Sequence, residues 1–109
     1  MKSALLNPES VIYVSVLTFW EISLKFSLKK LDLKNVSPGS MLQTAKEAGF
    51  TTLELSADVA STFHKLPRLK NKDPFDHMLA WQAIKNECIL LTKDKGFRGY
   101  EEFGLKTVW

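Results

Sequence analysis

Three carboxylates, spread along the chain, have residue types and positions that fit a catalytic site. Asp76 closes Asp73-Pro74-Phe75-Asp76 at the head of a predicted helix, and Asp94 follows the apolar run Ile89-Leu90-Leu91-Thr92. Glu21 interrupts an otherwise apolar helical stripe. Buried like charges repel and are costly unless paired or bound to a cation. A divalent-metal site is therefore the sharpest function these acids suggest. Donors that are all oxygen favour Mg²⁺ or Mn²⁺ over zinc. His64 and His77 are isolated, and no Cys/His spacing resembles a zinc site. The chain has no Walker loop, dinucleotide fingerprint or nucleophile elbow.

Each acid also has a plainer reading. Leu17, Glu21, Leu24 and Leu28 fall on one helical face. Glu21 there either serves a site, reaches water at a rim, or pairs with Lys25 one turn on. Asp73, just before Pro74, is well placed as an N-cap, which makes it a supporting residue. Asp76 can close a capping box, yet it shares a face with Leu79, Ala80, Ala83 and Ile84, the side that packs on a sheet. That makes Asp76 the better metal ligand. Asp94 is either a turn aspartate in Lys93-Asp94-Lys95-Gly96 or a ligand outside the carboxyl end of a strand, where sites in open α/β sheets form. Thr92 can hydrogen-bond a carboxylate or water at that edge. Lys65, Arg68, Lys70 and Lys72 crowd the loop before Asp73. They form either a solvated surface or a patch for a phosphate backbone.

The elements that must position these residues follow from periodicity. Val11 to Val14 reads as a buried strand and Leu17 to Lys30 as a helix. A helix over Ser40 to Ala48 ends at Gly49, Thr51 to Leu55 is a strand, and Ser56 caps a helix through His64. Pro74 starts a helix to Asn86. Ile89 to Thr92 is a strand, Phe97 to Phe103 a short helical turn, and Leu105 to Trp109 a terminal strand. Strands separated by helices imply an α/β fold with a parallel sheet.

Composition sets the frame. With 109 residues, 45% of them hydrophobic, the chain (residues 1–109) makes one domain with a substantial core. The net charge of +3 is mild. No apolar run approaches the ~20 residues of a membrane span, and Met1 to Leu6 is too short in its apolar part for a signal peptide. The single cysteine, Cys88, excludes an internal disulfide and fits a reducing compartment.

Val14-Ser15-Val16-Leu17-Thr18-Phe19-Trp20-Glu21-Ile22, Lys30-Leu31-Asp32-Leu33, Asp73-Pro74-Phe75-Asp76 and Leu91-Thr92-Lys93-Asp94 occur in an order that resembles the PIN-domain ribonucleases, in particular the VapC-like toxins of type II toxin–antitoxin pairs. The resemblance runs from about Val11 to Trp109. It implies a PIN-like parallel sheet flanked by helices and Mg²⁺- or Mn²⁺-dependent hydrolysis of RNA phosphodiesters. By the same resemblance Glu21, Asp76 and Asp94 match the second, third and fourth family acids, and Asp73 a frequent companion. His77 stands where an arginine is common. The implied partners are RNA, a VapB-like antitoxin and a second copy of the chain, in the cytoplasm.

The departure is at the front. The resemblance implies a first strand at the centre of the sheet that ends in an aspartate; Met1 to Ser10 reads as only the tail of that region, without the strand or the acid. The expectation is a domain truncated at its N-terminus and weak or inactive alone, or else a non-catalytic module that binds antitoxin or RNA.

Overall fold

The computed structural model describes residues 4–69 and 73–108. Five short strands form one sheet in the order β3-β2-β1-β4-β5. They are β1 (Ala4–Leu6), β2 (Ile12–Ser15), β3 (Thr51–Leu53), β4 (Ile89–Leu91) and β5 (Lys106–Val108). The helices are α1 (Val16–Ser27), α2 (Pro38–Glu47), α3 (Ala57–Ser61) and α4 (Pro74–Lys85), with 3₁₀ segments at Phe63–Lys65 and Lys95–Phe103.

The fold is α/β, as expected, but the sheet is mixed rather than parallel. β2 pairs with β3, and β4 with β5, in parallel. β1 runs antiparallel to both β2 and β4. The cause is the connection. Residues 7–11 join β1 to β2, and so short a loop supports only an antiparallel pair, since a parallel crossover needs a dozen residues or more. Asn7 builds the turn, its side-chain oxygen accepting from the Glu9 and Val11 amides at 3.0 and 2.9 Å. Ser10 takes a left-handed φ of 66°.

The gap expected at the sheet centre is thus filled from the segment read as a mere tail. Leu5 lies opposite Tyr13 on one side and Leu90 on the other. Leu5 and Leu90 are 1% and 0% exposed and join Leu66, Leu79, Ala80, Ala83, Phe97, Tyr100 and Leu105 in one core. The other four strands run in a common direction, so their carboxyl ends share one edge of the sheet.

Helix starts follow local chemistry. Ser15, Ser37, Ser56 and Asp73 cap α1, α2, α3 and α4 through side-chain oxygens. Gly49, just past α2, takes a φ of 93°, which favours glycine. The helix predicted from Ser56 to His64 ends instead at Ser61 and gives way to the 3₁₀ segment before Pro67.

Candidate functional site

Glu21 lies in the buried half of α1. It is 8% exposed, as are Leu17 and Thr18 or less, whereas Leu24 and Leu28 on the same predicted face are exposed. The helix therefore buries its first turns and rides outward toward its end. Glu21 Oε2 sits 3.1 Å from Lys25 Nζ, the i,i+4 pairing that the spacing allowed.

Asp73 is the N-cap of α4, its Oδ1 accepting from the Phe75 amide at 2.9 Å. Asp76, one turn in, is half-buried. Its charge acts on Tyr100, in the 3₁₀ segment packed against α4. Burial, first, and then the Asp76 carboxylate raise the Tyr100 phenol above its ordinary range, while the Arg68 guanidinium pulls it down. Asp76, Arg68 and Tyr100 thus share one electrostatic neighbourhood, and Arg68 is the member of the expected basic patch that reaches it. Lys65 is exposed in the first 3₁₀ segment, and Lys70 and Lys72 lie outside the described residues.

Asp94 is exposed and caps the second 3₁₀ segment, with Oδ1 accepting from the Gly96 amide at 2.8 Å. Its own amide donates to the buried Thr92 hydroxyl at 3.1 Å. The turn-aspartate geometry is therefore real, and it stands at the shared carboxyl edge of the sheet. Asp76 and Asp94 reach adjoining elements, α4 and the 3₁₀ segment that follows β4. Glu21 approaches from α1, which also packs on α4. Among the described residues, no group of three or more His, Cys, Asp or Glu side chains could hold a metal ion.

Two features escaped the pattern of the sequence. His77 is 1% exposed, and its Nε2 donates to the Leu66 carbonyl at 2.8 Å. Its ring lies 4.4 Å from Phe63 and 5.6 Å from Tyr100, centroid to centroid. A buried imidazole thus holds the loop that carries Arg68. Gln82, fully buried on α4, accepts from the Ser15 hydroxyl at 2.5 Å and donates to the Glu54 carbonyl at 3.2 Å. It ties the ends of β2 and β3 to α4 and so fixes where α1 begins. Beside these elements lies an apolar cavity of about 380 Å³, walled by Leu17, Trp20, Leu24, Leu55, Phe63, Pro74, Phe75 and Met78. Trp20, 60% exposed, meets Phe75 edge-on at 4.8 Å.

A mixed five-stranded sheet flanked by helices defines the class of domain. The PIN-domain family model matches residues 2–102, and the chain belongs to that family. PIN domains are commonly metal-dependent nucleases. No curated protein matches the chain. Among the described residues, no helix is long and apolar enough to cross a membrane.

Proposed function

We propose that this chain is a PIN ribonuclease of the VapC toxin type, acting on RNA phosphodiesters, with slow hydrolysis by the isolated chain. The observation that carries the reading is the placement of Asp76, half-buried in the first turn of α4 against the segment that Asp94 caps. Family membership supplies the reaction class. Slow turnover is proposed because the first acid that the resemblance implies is not matched in this sequence, and a cation would also compete with contacts that the other acids already make. Glu21 is paired with Lys25, and Asp94 is engaged by the Gly96 amide. A divalent ion, Mg²⁺ or Mn²⁺ in this proposal, would supply water activation and charge neutralisation at the scissile phosphate. The partners proposed with this reading are a VapB-like antitoxin, for which the cavity beside Trp20 and Phe75 offers an apolar surface, and a second copy of the chain, in the cytoplasm.

The test is metal-dependent cleavage of single-stranded and structured RNA by the chain, with Glu21→Gln and Asp76→Asn as controls. The expected result is weak cleavage that falls at least the ~10-fold typical of losing a metal-supporting group. Cleavage that both variants retain would remove these acids from the reaction. A second reading, a non-catalytic module that binds antitoxin or RNA, draws on one observation: the described acids form no metal-holding group. Binding of RNA or antitoxin with no metal-dependent turnover would establish it.

A further inference from the structure

We propose that the cleft outside the carboxyl ends of β4 and β5 binds the phosphodiester backbone of single-stranded RNA through Lys93, Lys95 and Arg98. This inference rests on the RNA reading above and adds a binding surface distinct from the loop before Asp73.

The cleft encloses about 460 Å³, and its walls include Thr92, Asp94, Glu101 and Thr107 as well as the three cations. That volume lies within the range of small-ligand pockets, and the location is the edge where α/β sheets place their sites. The two carboxylates are engaged in the wall itself. Asp94 Oδ1 holds the Gly96 amide at 2.8 Å, and Glu101 Oε2 accepts from the Thr107 hydroxyl at 3.3 Å. The three cations are exposed, and among the described residues Lys95 and Arg98 have no ion-pair partner. Lys95 and Arg98, long cationic side chains at exposed positions, are available to an external anion.

Among the described residues the side chains that line the cleft are charged or polar apart from Val108. Recognition by charge alone is blind to sequence and follows the backbone. An RNA strand held here would pass Asp94, the family-matched acid in the same wall.

The experiment is fluorescence anisotropy of a labelled single-stranded oligouridylate across a salt series, with chelator present so that binding is read without cleavage. The wild-type chain is compared with Lys95→Gln/Arg98→Gln and with the charge-matched control Lys29→Gln/Lys46→Gln, all at exposed positions. Each lost phosphate contact lowers the slope of log affinity against log salt by about 0.7 for a single strand. The cleft variant should therefore lose about 1.4 of slope and bind roughly 20-fold more weakly in about 0.1 M salt, while the control stays close to wild type. An equal loss on DNA of matched sequence assigns the contact to phosphate, and a loss confined to RNA assigns it to the ribose hydroxyl as well; both support the cleft. Wild-type binding that the cleft variant retains, or that the control loses equally, overturns the cleft and leaves the RNA reading standing. A wild-type chain that does not bind the strand overturns both.

Discussion

The charge of Asp76 on α4, second to burial, raises the pKa of the Tyr100 phenol on the 3₁₀ segment after β4. Burial and this negative charge keep the phenol protonated beyond its ordinary range, against the opposing pull of Arg68. The pairing is the clearest physical link between the helix that carries Asp76 and the segment that Asp94 caps.

This link predicts an alkaline limb in stability. Tyr100 keeps its proton longer in the folded chain than in the unfolded one. Its contribution is therefore complete below the ordinary phenol pKa of about 10 and is lost as pH rises through the higher folded value. Asp76→Asn should move the Tyr100 titration back toward that ordinary value, and Arg68→Gln should move it further up. Phenolate absorbance, with Tyr100→Phe to isolate the signal from Tyr13, reads both shifts. A Tyr100 titration unmoved by Asp76→Asn would separate the two side chains.

The Ser15–Gln82 bond should matter to the whole fold. Ser15→Ala removes the cap of α1 and leaves the buried Gln82 side-chain oxygen without its donor. An unsatisfied buried polar group and a lost cap together should cost about 2 kcal/mol. That corresponds to a melting temperature lower by roughly 10 °C for a domain of this size. Thermal unfolding by circular dichroism measures it.

The central position of β1 predicts a large effect from a residue near the start of the chain. Leu5→Ala empties a site flanked by Tyr13 and Leu90, and it should destabilise by about 2–5 kcal/mol. Urea unfolding gives the value, and a cost below ~0.5 kcal/mol, in the range of surface substitutions, would mean that β1 is not part of the core. Asn7→Ala should cost about 1 kcal/mol by releasing the Glu9 and Val11 amides of the hairpin turn.

Cys88 should be inert while the chain is folded. It is 5% exposed at the entry to β4, and burial pushes its thiol above the ordinary range, away from the reactive thiolate. A disulfide reagent should label it slowly in the native protein and rapidly in urea.

Local chemistry made most of the framework readable. Ser56 and Asp73 marked two helix starts, and Pro74 and Gly49 fell where helix geometry uses them, whereas the caps Ser15 and Ser37 were not read and α2 begins at Pro38 rather than Ser40. The apolar face of α4 was readable from Leu79, Ala80 and Ala83, because burial follows helical period. β1 was not readable. Three residues, Ala4–Leu6, are too few to show alternation, and Ala and Leu favour helices over strands. The turn signal Asn7-Pro8 was present, but its meaning depends on what β1 pairs with. The reversed direction of that strand depends on Leu5 pairing between Tyr13 and Leu90.

The same division holds at the site. Residue type and spacing alone singled out Glu21, Asp76 and Asp94, because a carboxylate on an apolar face or at a strand end calls for an explanation. The surroundings of each acid were decided by the fold: Lys25 beside Glu21, the Gly96 amide on Asp94, and Tyr100 within the field of Asp76. So was the burial of His77 against Phe63, Tyr100 and the Leu66 carbonyl. Helix caps and periodic faces depend on neighbours within a turn, which sequence order supplies. Contacts between α4, the β4 edge and the central strand depend on how distant segments pack, and only the tertiary structure specifies that.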